Sequence, residues 1–481
     1  MTFNSYIFIL AFLPVFVIAY LSLGKLHNAV SKALMILGGI IFYAYAGWKT
    51  TALFALSIFV NYLFACWLKK TGHKKGVLAI AIVLNLGLLG WFKYLNFAIE
   101  TVNELFHGAL RPAELILPLG ISFFTFQQIM FVVSVARGEI DTKLADYLAY
   151  ILYFPKLVMG PLMEPKDFYS QLQDASRKKV NWGNVAGGIK LFSYGFFKKM
   201  LLADTFAKAV SWGFANAASA ATSADLFLVM LFYTFQIYFD FSGYSDMAVG
   251  ISKMINIDLP MNFNSPYKAT SIQDFWKRWH MSLTNFLTKY VYIPLGGSRK
   301  GQLRTYVNIM IVFLVSGIWH GASWTFILWG CLHGLLQILE RLFKKWFIKL
   351  SEVVRWGYTF FSVNLLWLLF RADRIEDWRA MLKTMFRFQN MAVSDGLIRS
   401  FELPEWTFLT DKLHLTQMNA DVRGFGMLLV TVAAFFICLV PENNYKNANK
   451  TNALHMFACA IAFVWSFLCL SSESFFVYFN F

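Results

Sequence analysis

Charged residues are scarce in this chain of 481 residues, at 15% of the total against 58% hydrophobic residues. A soluble domain carries roughly 25% charged residues, so this chain has too little polar surface to coat a water-soluble core. Disorder is excluded as well, because so much apolar surface would collapse. The composition therefore predicts a protein dissolved in lipid.

Cysteine is also scarce, with five residues in the chain. All five lie in apolar stretches, and none forms a Cys-x-x-Cys pair or stands at metal-ligand spacing from a histidine. Small buried side chains are the simplest interpretation, which disfavours a disulfide-built extracellular domain. We predict no bound metal.

Several enzyme motifs are missing. The chain contains no Gly-x-Ser-x-Gly elbow, no Walker loop, no Gly-x-Gly-x-x-Gly after a strand and no His-Glu-x-x-His. These absences argue against a serine-nucleophile hydrolase, an ATPase and a zinc protease. Internal repeats, which are common in secondary transporters, are not found in the sequence either.

The net charge is +16, from 43 Lys and Arg against 27 Asp and Glu. In a soluble protein this excess would suggest nucleic-acid binding. In a membrane protein, basic residues collect in cytoplasmic loops instead. Much of the excess lies in residues 69–75, 277–278, 299–304 and 341–349. We therefore expect contact with membrane lipid and no nucleic-acid partner.

Long apolar runs are what the chain has in abundance. A window of about 19 residues finds about 11 to 13 of them, several of which are short. The candidate spans are 6–23, 30–45, 51–68, 76–95, 115–135, 147–163, 185–202, 226–241, 306–319, 322–342, 356–370, 425–440 and 454–470. They predict an all-α polytopic integral membrane protein that forms a single domain over residues 1–481. The first run has no basic residue before it and no cleavage site after it, so it is expected to be a retained span.

Two of these runs are unlike simple lipid-facing helices. Residues 115–135 include Gln127, and residues 147–163 contain Pro155 and a Gly-Pro pair. Such segments are tolerated at membrane depth only where protein or a water-filled cavity satisfies their polar groups. They are either short or re-entrant helices or helix ends placed in the interface.

The loops indicate orientation. Residues 69–75 form the most basic short loop, whereas the next loop, 96–114, is acidic. The positive-inside rule then places residues 69–75 in the cytoplasm and the amino terminus outside it. Residues 371–424 have an ordinary charge density. We predict that they form an extramembrane loop with an amphipathic helix near 375–386.

Three of the eight histidines, His280, His320 and His333, lie within or beside apolar segments. An ionisable group at membrane depth is costly, and neutral imidazole is the cheapest one that still moves protons near pH 7. Each is therefore either a hydrogen-bonding core residue or a catalyst. If residues 306–342 formed one helix, His320 and His333 would be about 20 Å apart and could not act as a pair. A neighbouring helix could bring His280 close to His320.

Two more features surround these histidines. The segment 274–290 mixes basic residues with aromatic ones and is predicted to form an interfacial amphipathic helix. The turn that follows, 292–300, carries Arg299 and Lys300 after a Gly-Gly pair, which suits either an anionic group such as a phosphate or a cytoplasmic loop. Asp240, at the end of a predicted span, is either a helix cap or an orienting partner for a catalytic imidazole.

Four motifs stand out in the middle of the chain. They are Phe-Trp-Lys-Arg-Trp-His-Met-Ser-Leu at 275–283, Tyr-Ile-Pro-Leu-Gly-Gly at 292–297, Gly-Ile-Trp-His-Gly at 317–321 and Trp-Gly-Cys-Leu-His-Gly at 329–334. Taken together they resemble the membrane-bound O-acyltransferase family. The pattern is most similar to the bacterial branch that includes the membrane subunit of alginate O-acetyltransferase. The resemblance spans most of residues 115–372, which we predict to be the family core.

This resemblance implies a multi-helix fold around a central tunnel, with an acyl donor entering from the cytoplasm and an acceptor on the opposite side. The family's near-invariant catalytic histidine corresponds to His320, and the second active-site position corresponds to His280. As neutral imidazole, His320 would act as the general base, while His280 orients the acceptor or stabilises the oxyanion. Further residues predicted to line the substrate path are Asp240, Trp279, Trp319, His333, Tyr244 and Gln127.

The expected function is O-acetylation of a cell-surface polysaccharide such as alginate. The donor would be acetyl-coenzyme A or another acyl thioester, as a substrate and not as a bound cofactor. By resemblance, the acetyl group would pass to a periplasmic partner with an SGNH-like, serine-hydrolase-like fold. The alternatives are D-alanyl transfer to teichoic acid, as in a sister branch that shares the Arg-Trp-His-Met-Ser-Leu motif, a transporter or flippase, and a non-catalytic scaffold of a secretion complex.

Overall fold

The computed structural model describes residues 1–24, 26–402, 420–450 and 452–471. The regular structure in these ranges is helical, without a strand. Five helices are long and apolar enough to cross a membrane, namely Trp48–Lys70, Lys74–Phe106, Ser223–Met254, Gln302–His320 and Glu352–Arg371. Shorter apolar helices are Phe8–Leu23, Asn28–Ala44, Ile121–Ala136, Gly424–Leu439 and Ala453–Leu468. The prediction of an all-α, multi-pass membrane protein is confirmed.

The chain divides into two compact units. Unit 1 comprises Met1–Tyr194, Tyr244–Met261 and Asn447–Ile461. Unit 2 comprises the described residues of Gly195–Gly243, Asn262–Lys446 and Ala462–Phe481. The helix Ser223–Met254 supplies residues to both, because the division falls after Gly243. All three histidines singled out above belong to unit 2.

Unit 1 begins with a π-helical turn, Phe8–Phe12, that continues into the helix Leu13–Leu23. Its next helices are Asn28–Ala44, Trp48–Lys70, Lys74–Leu89, Leu95–Phe106, Ile121–Ala136, Leu144–Ile151, Phe154–Leu157, Pro165–Gln173 and most of Trp182–Phe197. The buried amides of Asn61 and Asn85 bond to each other at 2.7 Å between Nδ2 of Asn85 and Oδ1 of Asn61. This bond satisfies two polar groups that apolar surroundings would otherwise leave unpaired, and it ties Trp48–Lys70 to Lys74–Leu89.

The single span predicted over residues 147–163 is wrong. The structure instead has two short helices, Leu144–Ile151 and Phe154–Leu157, followed by irregular backbone, and residues 151–163 are all buried. Pro155 can begin a helix but not continue one, and the Gly-Pro pair at 160–161 stops the second helix. Because this backbone is enclosed by protein, its polar groups avoid lipid.

Ala453–Leu468 is divided between the two units after Ile461, and unit 2 contains most of the remaining α-helices. They are Asp204–Asn216, Ser223–Met254 as far as Gly243, Ile272–Arg278, Met281–Leu287, Gln302–His320, Trp324–Leu342, Lys344–Phe347, Glu352–Arg371, Ile375–Met385, Asp395–Arg399 and Ala420–Leu439. The helix Ile375–Met385 lies in the segment 371–424, where an amphipathic helix was predicted. Residues 403–419 of that segment are outside the described residues.

Residues 306–342 do not form one helix. Gln302–His320 ends at Gly321, whose backbone is extended, and Trp324–Leu342 starts afresh with Ser323 as its cap. The two helices turn back on each other as a helical hairpin. A Cβ on Gly317 would lie 2.4 Å from the carbonyl oxygen of Phe326, so the backbones touch where the glycines allow it. The distance between His320 and His333 expected for a single helix therefore does not apply.

The hairpin contact gives a first testable prediction. We expect Gly317→Ala to lower the free energy of unfolding by about 1–3 kcal/mol, because the added methyl meets rigid backbone and forces the helices apart. Gly357→Ala is the matched control, since a Cβ on that helical glycine would have nothing within 4 Å. Thermal unfolding in detergent should show a lower midpoint for the first variant only. Equal midpoints would mean that the hairpin tolerates the methyl group.

The interfacial helix predicted over 274–290 is also wrong. The segment forms two short helices, Ile272–Arg278 and Met281–Leu287, that break at Trp279 and His280. Its apolar side chains are buried inside the protein, among them Trp276 and Trp279. An amphipathic pattern shows which face is apolar, but it does not distinguish a lipid surface from a protein core.

Candidate active site

His280 sits at the break between the two short helices. Its backbone is left-handed, with φ of 44°, and its side chain is buried. Asn262 stabilises the break, because its carbonyl oxygen accepts from the Met281 N–H at 3.0 Å and its side-chain oxygen accepts from the Ser282 hydroxyl at 2.6 Å. Burial lowers the pKa of His280, which is outside the membrane-spanning helices, to about 3. The ring is therefore neutral at physiological pH.

His320 is the last residue of the first hairpin helix and is buried. Its ring lies 5.1 Å from the Phe370 ring and 5.2 Å from the Trp329 ring, measured between centroids. Trp319 connects it to His280, because the Trp319 ring is 4.9 Å from the His320 ring and 6.0 Å from the His280 ring. The two histidines predicted to be catalytic are therefore brought together around one indole.

His333 lies on the second hairpin helix and is fully buried. Its Nδ1 accepts a hydrogen bond from the indole Nε1–H of Trp276 at 3.2 Å. The ring of Trp329 is 4.8 Å from the His333 ring and, as noted, 5.2 Å from the His320 ring. Because the hairpin folds back, His320 and His333 share a neighbour, so the expectation that they are remote from each other is wrong.

Trp279 belongs to an aromatic cluster that also includes Trp319, Trp329, Trp367 and Phe370. It is fully buried, 4.8 Å from the Trp367 ring, which in turn stacks on Trp329 at 5.8 Å. Large rigid rings of this kind hold their neighbours in fixed orientations and exclude water. Of the predicted residues, Trp319 contacts His320 directly, whereas His333 and Trp279 are connected to it through Trp329 and Trp367.

Asp240 has a different environment from the one predicted. Its carboxylate forms a buried ion pair with Lys199, at 2.7 Å between Oδ1 and Nζ, and Lys199 also pairs with Asp204 at 2.8 Å. The next residue along the chain, Phe241, has its ring 4.6 Å from the His280 ring. Asp240 therefore anchors the part of the helix that touches His280.

The predicted residues Gln127 and Tyr244 belong to unit 1. Gln127 accepts a hydrogen bond from the Lys156 ammonium at 2.5 Å and donates one to the Lys156 carbonyl oxygen at 3.1 Å. Tyr244 is buried and stacks on Phe3 with 4.7 Å between ring centroids. Within unit 1 both side chains serve in packing and hydrogen bonding.

A cavity of about 210 Å³ in unit 2 is lined by two side chains that contact His333. Its wall includes Trp276 and Phe313, whose rings lie 4.9 and 6.1 Å from the His333 ring, and Ser316, one helical turn before His320. Gln273 and Arg341 also line it. An elongated apolar group in this cavity would extend toward the imidazoles.

A wider basin of about 640 Å³ shares Gln273 and Arg341 with this cavity, so the two adjoin. Lys344 and Arg355 line the basin. Among the described residues, neither Arg341 nor Arg355 has an acidic partner, and the Nε of each is buried without a hydrogen bond. Half-buried guanidinium groups without an acidic partner suit an anionic ligand. Within the same ranges, no three His, Cys, Asp or Glu side chains cluster as metal ligands would.

Residues 40–370 match the model of MBOAT, the membrane-bound O-acyltransferase family. The chain belongs to this family. The family resemblance predicted from the four motifs is confirmed, and the matched region includes His280, His320 and His333.

Individual relatives of this membrane-bound O-acyltransferase support the family assignment. The chain is 34% identical to the peptidoglycan O-acetyltransferase of Helicobacter pylori, over 100% of this chain and 97% of that protein. It is 36% identical to the probable alginate O-acetylase AlgI of Azotobacter vinelandii, over 82% of this chain and 80% of that protein. The teichoic acid D-alanyltransferase of Bacillus subtilis is 30% identical over 49% of this chain and 62% of that protein. The chain is therefore an enzyme, an O-acyltransferase.

Sequence reasoning missed two buried lysines of this acyltransferase, Lys199 in unit 2 and Lys156 in unit 1. Lys199 is buried beside Asp240, and Lys156 is buried beside Gln127 with its ammonium 3.7 Å from the Tyr150 ring centroid. The signal was present in the sequence, because both lysines interrupt hydrophobic runs, where an ionisable group needs a partner. Each turned out to partner a residue that had been predicted.

Proposed function

We propose that this O-acyltransferase transfers an acetyl group from acetyl-coenzyme A for the O-acetylation of an exported polysaccharide. The observation that carries the proposal is the placement of His280 and His320 on either side of Trp319. A cavity lined by two neighbours of His333 lies in the same unit and adjoins a basin with three cationic side chains. The full-length similarity to a peptidoglycan O-acetyltransferase favours peptidoglycan over alginate as the polysaccharide.

In the proposed reaction, His320 is the general base. As neutral imidazole it removes the proton from the acceptor hydroxyl while the hydroxyl oxygen attacks the thioester carbonyl carbon. His280, neutral because of its burial, orients the acceptor by hydrogen bonding. The aromatic cluster excludes water, which would otherwise hydrolyse the thioester. By resemblance, the acceptor hydroxyl belongs to an SGNH-like periplasmic partner that then modifies the polysaccharide.

The basin supports a phosphate-bearing thioester as the donor. Its cationic side chains, Arg341, Lys344 and Arg355, would hold the phosphates, and the narrow cavity beyond Arg341 would hold the apolar arm. Both coenzyme A and the phosphopantetheine group of a carrier protein have this chemistry. Coenzyme A carries more phosphate charge for three cations to neutralise, so we propose that it is the donor.

Removing the basin's charge should weaken donor binding. We expect Arg341→Gln combined with Lys344→Gln to raise the KM for acetyl-coenzyme A at least about tenfold with little change in kcat, since a hydrogen bond to a charged group contributes about 1.5–3 kcal/mol. Lys345→Gln is the matched control, because Lys345 is exposed and does not line the basin. An unchanged KM in the double variant would exclude the basin as the donor site.

We also propose that the protein lies in the inner cell membrane with residues 69–75 in the cytoplasm and the amino terminus outside. The basic loop supports this orientation through the positive-inside rule. Lys69 pairs with Asp141 at 2.6 Å, so the segment near residue 141 lies on the same side. Single cysteines introduced at residues 73 and 107 should be labelled from the cytoplasmic and the external side, respectively. The reverse pattern would invert the topology.

The decisive experiment uses the purified protein in liposomes with labelled acetyl-coenzyme A. Transfer of label to a periplasmic partner or to polysaccharide, lost in His320→Ala, would support the proposal. Parallel reactions with an acetylated carrier protein and with a D-alanyl carrier protein test the other donors, and peptidoglycan and alginate are compared as polysaccharides. Uptake of intact donor without transfer would point to a transporter, and activity of the complex without the histidines would point to a scaffold.

A further inference from the structure

Two buried N–H groups of the second hairpin helix have no hydrogen-bond partner among the described residues. They belong to Trp329 and His333, at Nε1 and Nε2, respectively, and both residues are fully buried. An unpaired buried donor costs about 1–3 kcal/mol, and native structures contain few of them. Two such groups on neighbouring side chains therefore indicate a hydrogen-bond acceptor that the described residues do not supply.

The protonation state of His333 follows from its one hydrogen bond. The indole nitrogen of Trp276 can only donate, so Nδ1 of His333 must carry the lone pair that accepts. This bond assigns the proton of the neutral ring to Nε2. The free nitrogen of His333 is therefore a hydrogen-bond donor and not a base.

The rings that carry the two donors are in contact, and the Trp329 ring also contacts His320. Residues 329 and 333 are four apart on one helix and share a face, with 4.8 Å between their ring centroids. The Trp329 ring is 5.2 Å from the His320 ring. Trp276 and Phe313, which line the 210 Å³ cavity, contact the His333 ring and separate it from the cavity by one layer of side chains.

We propose that the Trp329 and His333 N–H groups form an oxyanion-binding pair for the acyl-transfer reaction, an inference that rests on the proposed function. When the acceptor oxygen bonds to the thioester carbon, the carbonyl π electrons move onto oxygen, and the two N–H groups stabilise this negative charge. His320 receives the acceptor's proton. As the intermediate collapses, the C=O bond re-forms, the C–S bond breaks, and the thiolate takes the proton from His320.

With this oxyanion-binding pair, the three histidines have three different roles. His320 moves the proton, His280 orients the acceptor, and His333 only donates a hydrogen bond. Trp276 is then a positioning residue, because its N–H fixes the tautomer that makes His333 a donor.

The test removes one N–H at a time without removing the ring. Trp329→Phe should lower kcat about 100-fold, with the KM for donor almost unchanged, because the lost interaction exists only in the transition state. Its melting temperature should stay the same, since the indole N–H makes no bond within the described fold. Trp356→Phe is the matched control, because the Trp356 N–H donates to the Tyr267 carbonyl oxygen at 2.9 Å. That variant should lose stability and keep its kcat.

A second set of variants tests the role of His333. His333→Gln, which can still donate from its amide, should retain more activity than His333→Leu, and Trp276→Phe should lower kcat because His333 is no longer held as one tautomer. Normal kcat in Trp329→Phe, together with an inactive His320→Ala, would overturn the oxyanion pair and leave the proposed function standing. Activity in His320→Ala would overturn both.

Discussion

Replacing His320 with alanine is expected to reduce acyl transfer by about 10²- to 10⁴-fold, the usual contribution of a general base. The imidazole is held at the end of its helix between Phe370 and Trp329, at ring distances of 5.1 and 5.2 Å. Water cannot replace this proton acceptor, because the aromatic cluster excludes water from the site. Initial rates of label transfer from acetyl-coenzyme A measure the effect.

Loss of packing must be separated from loss of chemistry in this variant. His320→Gln keeps most of the side-chain volume but has no nitrogen that can take up the proton, so it should melt close to the parent temperature and remain inactive. His73→Ala, which removes an exposed histidine, should behave like the parent protein. Substantial transfer by a folded His320→Gln protein would show that another group is the base.

Replacing Lys199 with methionine is expected to destabilise unit 2 by about 3–5 kcal/mol. The substitution keeps the length of the side chain but leaves the carboxylates of Asp204 and Asp240 without their shared cation in a buried place. Breaking a buried pair from one side is costly because the remaining charge stays desolvated. Unfolding in detergent, followed by circular dichroism against temperature, should show a much lower midpoint.

Neutralising the orphaned acids should reverse much of this loss. Adding Asp240→Asn and Asp204→Asn to Lys199→Met removes both uncompensated charges, so the triple variant should recover stability relative to the single one. Lys69→Met is the control, because its pair with Asp141 is exposed to solvent and should contribute little. If Lys199→Met melted like Lys69→Met, the buried ion triad would have no structural role.

The sequence was sufficient to predict most of the helices and the family. Apolar runs such as 51–68 and 356–370 correspond to the helices Trp48–Lys70 and Glu352–Arg371, because twenty apolar residues in lipid have few options besides a helix. The motifs that contain His280 and His320 were predictable for a different reason. They combine ionisable groups and glycines within apolar surroundings, which is unusual enough to identify a family.

The interior arrangement was less predictable. The hydropathy of residues 306–342 is high almost without interruption, apart from the short turn from Gly321 to Ser323. A straight helix and a helical hairpin are therefore hard to distinguish from hydropathy. The two arrangements place His333 in completely different positions. The break at His280 depends on Asn262, which is 18 residues earlier in the chain. Such long-range hydrogen bonds override local periodicity and cannot be inferred from it.

The partner of a buried charge, such as that of Lys199, is equally hard to predict from one sequence. Its pairing with Asp240 depends on a close crossing in which a Cβ on Gly243 would lie 2.7 Å from the Gly195 carbonyl oxygen and 3.1 Å from the Lys199 nitrogen. A single sequence shows that a charge needs a partner, but not which acid is within reach. The sequence left two roles open for Asp240, a helix cap or an orienting partner of an imidazole, and its ion pair with Lys199 was not among them.

The basin and the cavity share Gln273 and Arg341 as lining residues, so a selective inhibitor would occupy both. A compound that fills both must combine an anionic head, for the cations of the basin, with a slender apolar tail of the length needed to reach Ser316. A carbonyl isostere at the tip of that tail would meet Trp329 and His333.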